Sequence, residues 1–409
     1  MGEAIITRRG GAGEAIVEFE NFTPSNTVAM YHPDGELTRS TPTGLSAGRS
    51  YLAGASVGNY ALFAGGSSYG DRVDAYDTDL VRSTPTALSE ARERLAGASV
   101  GNYALFAGGF DFPSDDDRYK DTVDAYDTDL VRSTPTALSV GRERLVGASV
   151  GNYALFAGGK YGSWEYKDTV DAYDASLVRS TPTALSVERY DLAGTSVGNY
   201  ALFAGGYGSP RDKDTVDAYD TSLVRFTPTA LSVSGDDYVG ASVGNYALFA
   251  GGYDGNRGIV NAYDTSLVHS TPTALSVARF GLAGASVGNY ALFAGGYGYG
   301  ISDSVNTVDA YDTSLVRSTP TALSVARYQL AGASVGDYAL FAGGTSMGSQ
   351  NAVDAYTLQV SVAVLCVPIG TKYKFGESEE ETATTNEITV PVPVTGYIKF
   401  KNGVISNEV

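Results

Sequence analysis

Six arginines occupy one repeated place in this chain. Arg49, Arg92, Arg142, Arg189, Arg279 and Arg327 each stand five residues before a glycine that opens the same short segment, and the remaining copy carries Gly235 there. Gathered together, guanidinium groups read carboxylate or phosphate through paired N–H donors. In a chain of net charge −18 they would make a cationic collar suited to an acidic or phosphate-bearing glycan. The structural alternative pairs each of them with a repeated aspartate of a neighbouring unit: Asp74, Asp124, Asp171, Asp217, Asp309 or Asp354. Charge clusters inside proteins are mostly paired in this way.

A second set is aromatic. Stretches of differing length separate the repeated segments: Phe110-Asp111-Phe112 through Tyr119, Tyr161 through Trp164-Glu165-Tyr166, and Tyr253 through Arg257, with Tyr207, Tyr297 and Tyr299 at related places. Rigid aromatic area interleaved with Gly, Ser, Asp and Arg is what binding surfaces are made of. Such loops are also free to drift without a ligand, but drift alone does not enrich aromatic side chains.

Catalytic chemistry is thinly supplied. His32 and His269 lie in different copies, and nothing marks either as a base beside a nucleophile. Two histidines and a lone Cys366 cannot furnish a copper centre. The run Asp115-Asp116-Asp117 lacks the alternation and distal glutamate of a calcium loop. Carboxylate pairs recur at repeated positions, which suits a scaffold better than one glycosidase centre. The expectation is a protein that is not an enzyme and uses no metal or cofactor.

These residues hang on a repeat. Gly54-Ala55-Ser56-Val57-Gly58-Asn59-Tyr60-Ala61-Leu62-Phe63-Ala64-Gly65-Gly66 recurs from Gly97, Gly147, Gly194, Gly240, Gly284 and Gly332, at spacings of 43 to 50 residues. Each unit parses into four short strands. Strand a is Gly-Ala-Ser-Val, and a Gly-Asn hairpin signal leads into strand b, Tyr-Ala-Leu-Phe-Ala. Strand c is Val-Asp-Ala-Tyr-Asp, and strand d is Leu-Val-Arg-Ser-Thr, closed by a proline that cannot continue a ladder. No window keeps a 3.6-residue apolar period, so helices are not expected. Four-stranded units of this length, closed radially, make a propeller whose innermost strand must be built of small residues.

The order Tyr-x-Leu-Phe-x-Gly-Gly, a gap, then Val-x-x-Tyr-Asp resembles the kelch repeat over residues 27 to 357. The resemblance implies an all-β, seven-bladed propeller. Kelch units usually carry tryptophan in strand d, where this chain has an aliphatic pair such as Leu315-Val316, so an aliphatic core between blades is expected. The chain enters with Val28–Tyr31 and Leu37–Thr41, a spare c–d pair, and leaves the repeats after strand c at Val353–Tyr356. The N-terminal strand is therefore expected to supply strand d of the last blade and remove two free edges.

In such a meander the a–b and c–d turns share one face and the b–c and d–a loops the other. All variation among copies falls in the second pair, so the binding face should lie there, with the arginines near the channel mouth. The ends lie outside the repeat: an arm at residues 1–26 and a C-terminal strand module at 358–409. Gly-Glu-Ala-Ile-Ile-Thr-Arg-Arg-Gly-Gly near the start resembles tail-fibre and other virion proteins of phages infecting Gram-positive bacteria. That implies a non-enzymatic display protein, folded in the bacterial cytoplasm and carried on a phage particle. Its termini would meet other virion proteins, and its loop face a host-surface glycan or protein. The alternatives are a cytoplasmic kelch scaffold gripping a protein partner and, less favoured, a sugar-active propeller enzyme. The acidity, with a pI near 4.5, argues against nucleic acid. No apolar run is long enough for a membrane helix, and no apolar leader follows Met1.

Overall fold

The computed structural model describes residues 2–6, 15–21, 29–31, 36–67, 70–112, 118–162, 164–253, 258–300, 303–365, 372–375, 381–382, 387–392 and 398–403. The chain forms two compact units, Arg39–Thr357 and the paired ends Met1–Thr38 with Leu358–Val409.

The larger unit is a ring of seven antiparallel sheets, the blades of a β-propeller, and no helix occurs among the described residues. In blade 1 the strands are Ala53–Val57, Tyr60–Ala64, Val73–Tyr76 and Arg82–Ser83. Blades 2 to 7 open at Ala96, Val146, Ala193, Tyr238, Ala283 and Ala331. Strand d is shorter than its sequence suggests. Asp77 Oδ1 accepts the backbone N–H groups of Asp79 and Val81, which holds Leu80 at a φ of 61° and delays the strand to Arg82. The leucine still packs inward against the core, while Val81 is left 62% exposed.

The core between blades is accordingly not aliphatic alone. Phe106 and Tyr126 of blade 2 pack on Leu62, Ala64 and Val73 of blade 1, and Phe63 and Tyr76 of blade 1 pack on Leu340, Ala342 and Val353 of blade 7. Each Phe meets its Tyr edge-on, at 6.0 Å in blade 1. The tyrosine hydroxyl, buried with the ring, donates to a carbonyl of the incoming connection, as Tyr76 does to Thr43 at 2.8 Å.

Around the axis the innermost strands approach so closely that only glycine fits. A Cβ on Gly54 would lie 2.3 Å from the carbonyl oxygen of Gly332, and one on Gly97 would lie 2.3 Å from that of Gly54. One residue pair further along, a serine hydroxyl of every blade donates to the serine carbonyl of the preceding blade. The cycle Ser99 to Ser56, Ser149 to Ser99, Ser196 to Ser149, Ser242 to Ser196, Ser286 to Ser242, Ser334 to Ser286 and Ser56 to Ser334 closes on itself at 2.5–2.7 Å.

Closure at the sheet edge follows the expected route. Glu36–Ser40 pairs with Val353–Leu365, so the N-terminal strand completes blade 7. Arg39 lies 3.0 Å from Asp354, in the role Arg82 and Arg132 play for Asp74 and Asp124 at 3.4 Å. The expected partner strand at Val28–Tyr31 does not belong to the ring. Ala29–Tyr31 pairs with Val362–Val364, outside the propeller unit, so the propeller proper begins near Arg39 rather than at residue 27.

In the smaller unit the N-terminal arm and the C-terminal module share one five-stranded sheet. Ala15–Asn21 lies between Gly2–Ile6, antiparallel, and Ile398–Gly403, parallel.

Because only the blade-7 strand d is not tethered through a c–d turn, its ion pair should matter more than the others. Arg39→Glu sets a like charge against Asp354 and is expected to speed proteolytic cleavage near residue 41 about ten-fold, the effect of ~1.4 kcal/mol on local opening. Arg132→Glu should not produce that cleavage. Equal cleavage in both variants would show that ring closure does not rest on this pair.

Candidate functional site

The six repeated arginines form no open collar. Each is 0–1% exposed, inside the blade, and bonded to the strand-c aspartate of the blade it leads into, not of a neighbour. Arg142 is the most fully bonded of the six. Its guanidinium lies 2.9 Å from Asp171 and donates to the carbonyls of Gly158, Val140 and Phe156. Asp171, fully buried, also accepts the amide and hydroxyl of Ser139 and an N–H of Arg179. Burial pushes the Arg142 guanidinium down from its ordinary value while Asp171 opposes the shift. The other five arginines leave Nε without a hydrogen-bond partner, but groups so enclosed do not reach a ligand in solvent.

Blade 5 is the exception, and it changes as a set. Gly235 replaces the arginine, Asn261 the aspartate and His269 the strand-d arginine. Tyr238 stands where other blades have leucine, 4% exposed, and its ring reaches to within 3.4 Å of a Cβ placed on Gly252, beside which other blades put the arginine stem. Asn261 Oδ1 still accepts both donors of Ser232 and lies 2.9 Å from His269 Nε2. Burial pushes the imidazole down, favouring the neutral form a blade without a buried charge calls for.

The aromatic residues lie on the b–c side as expected, and they gather into strings that cross blades. Phe112, Phe110, Tyr119 and Tyr161 follow one another at centroid distances of 4.9, 5.3 and 4.8 Å. Tyr166, Tyr190 and Tyr207 form a triangle of 5.2–5.9 Å. Tyr253, Phe280, Tyr297 and Tyr328 make a third string at 4.9, 5.5 and 5.4 Å. Phe110 is buried, whereas Phe112, Tyr161, Trp164, Tyr253 and Tyr299 are exposed, Trp164 to 83%. Arg257 and Asp115-Asp116-Asp117 lie outside the described residues, as do His32 and Cys366.

At the centre of this face the structure brings together residues that the loop comparison passes over. Two positions after each buried arginine, or after Gly235, stand Tyr51, Arg94, Arg144, Asp191, Asp237, Gly281 and Gln329. All seven have positive φ, from 52° to 62°. Their backbones link head to tail: Arg94 N–H to Tyr51 carbonyl, Arg144 to Arg94, Asp191 to Arg144, Asp237 to Asp191, Gln329 to Gly281 and Tyr51 to Gln329, at 2.7–3.2 Å. This inner belt and the apolar residues beside it line a cavity of ≈ 350 Å³. Non-glycine residues held in the left-handed region are strained and collect where a site over-determines them.

The belt side chains pair along its course. Gln329 Nε2 donates to the Tyr51 hydroxyl, and the Arg94 guanidinium sits 4.9 Å from the Tyr51 ring centroid and 3.1 Å from Glu143. Arg144 pairs with Asp191. Asp237 ends the sequence without a side-chain hydrogen bond or ion pair among the described residues, next to Gly281, which offers none. Burial, then the charges of Asp191 and Asp236, push the Asp237 carboxyl well above the usual range, with Arg144 opposing.

The fold and this site define a β-propeller with a loop-lined axial cavity. Among solved structures it is similar to the structure of YjhT, at 14% identity and a TM-score of 0.51 over 78% of this chain and 97% of that one, a likeness of fold. No protein-family model and no curated protein matches the chain.

Two outcomes are expected. Arg142→Met leaves Asp171 short of its main partner and should cost about 3–5 kcal/mol in urea unfolding. Transplanting the blade-5 set (Arg142→Gly, Asp171→Asn, Arg179→His and Leu145→Tyr) should recover most of that loss. No recovery would mean the blade-5 set is not a compensated exchange. The folded chain holds the Asp237 proton more tightly than the unfolded chain, so this residue favours folding most in acid and loses that contribution as pH rises through its folded value. Asp237→Asn is therefore expected to raise Tm at pH 7.5, and to leave it unchanged below about pH 3.5, where both chain states are protonated.

Proposed function

We propose that the chain is a non-enzymatic binding protein that offers the b–c and d–a face of its propeller to a surface glycan or protein. The observation that carries this reading is where the copies differ. Seven nearly identical blades differ chiefly in the belt around the axial cavity and in the aromatic loops beside it. A frame held constant while one face varies is how scaffolds present recognition surfaces. Exposed Phe112, Trp164, Tyr253 and Tyr299 suit stacking on sugar rings or apolar side chains.

The particle-borne role rests on the N-terminal decapeptide that resembles phage tail-fibre proteins, with the unit formed by both chain ends serving as the mount. Deleting residues 1–26 should leave a folded propeller that no longer enters particles. For the binding face, Trp164→Ala, Tyr166→Ala and Phe112→Ala should each weaken capture on a glycan array or host cells about ten-fold, as loss of a stacked aromatic anchor does. Binding indifferent to all three would rule out this face.

A further inference from the structure

The axial cavity has a chemistry of its own, more specific than the aromatic surround. Four charged residues line the cavity: Arg94, Arg144, Asp191 and Asp237. Arg144 is committed to Asp191, and Arg94 to Glu143 and Glu93. Asp237, beside Gly281, is the lining carboxylate left without an ion pair among the described residues. Gly281 leaves room there, since a Cβ would meet nothing closer than 3.6 Å. Phe280 and Tyr238 line the same sector with aromatic surface. Past Gly281 the wall continues with Gln329, Tyr51 and Arg94, which present amide, hydroxyl and guanidinium groups.

An acidic group beside aromatic faces attracts an organic cation, and the polar wall that follows it suits hydroxyls rather than an alkyl tail. A volume of ≈ 350 Å³ takes one monosaccharide. We propose that the cavity binds an amino sugar with a free amine, its ammonium on Asp237 and its hydroxyls toward Tyr51 and Gln329. An anionic sugar would meet the unpaired Asp237 carboxylate, and among the described lining residues both cations are already paired. The inference rests on the proposed binding face and names its ligand chemistry.

The test uses the full chain and titration calorimetry with D-glucosamine, N-acetyl-D-glucosamine and D-glucuronate. Glucosamine should bind at least ten-fold more tightly than the other two. Its affinity should fall as pH drops and Asp237, which faces Asp191, Asp236 and Arg144, takes up a proton. Asp237→Asn and Asp237→Ser, checked for folding by their melting curves, should each lower glucosamine affinity at least ten-fold. Tighter binding of glucuronate, no glucosamine binding at 10 mM (roughly the weak end of small-ligand affinity), or affinity unchanged in both variants would overturn the proposal. If Trp164→Ala abolishes array binding while both Asp237 variants retain it, the binding face stands and the amino-sugar assignment falls.

Discussion

Everything on the loop side of this propeller is built on a buried ion pair repeated six times. The strand-c aspartate is fully desolvated, which is tolerable only because its oxygens take an arginine, a serine amide, a serine hydroxyl and a second arginine from strand d. Those partners come from the incoming connection and from the last strand. One carboxylate thus fixes the d–a segment to the blade that follows it. The belt lies two residues beyond each arginine, so its unusual backbone geometry is held by this anchor. Breaking such a pair is costly, yet replacing it wholesale by neutral, well-packed groups need not be. Blade 5 displays that exchange, with tyrosine in the vacated volume and a histidine beside an asparagine.

Much of the architecture was legible in the sequence because the repeat repeats its punctuation. Glycine pairs, the Gly-Asn turn and the proline after strand d mark each boundary, and the unpaired strand count at the two ends foretold closure by Glu36–Ser40. Strand d is shorter than its sequence suggests, since an Asx turn on Asp77 looks in one dimension like continued strand. The core between blades is more aromatic than the aliphatic strand-d pair suggests, because Phe63 and Tyr76 enter it from strands b and c.

The site was harder to read. The arginines are evident as a pattern, but whether a guanidinium faces solvent depends on where the strand-c carboxylate sits, which is a three-dimensional fact. A signal was nonetheless present: Gly235, Asn261 and His269 change together in one copy, as partners do. The belt escaped notice because Tyr, Arg, Asp and Gln are not residues that announce a left-handed backbone. At six of the seven places that conformation accompanies a hydrogen bond to the carbonyl of the preceding blade, a contact invisible in one copy alone. Aligned column by column, the seven copies show it as one of two variable positions between a near-constant arginine and a near-constant leucine.

The serine cycle around the axis carries a consequence for how this molecule can change. Every junction between blades is joined by the same hydroxyl, the same glycine contact and the same pair of rings, so any blade is a suitable neighbour for any other. Exchange of segments between copies of the gene, out of phase by whole units, would preserve all of these junctions. What it would alter is the order of the seven belt residues. The ring thus behaves as a fixed typesetter's frame, in which recombination rearranges a seven-letter word facing the cavity while the metal of the frame stays as cast.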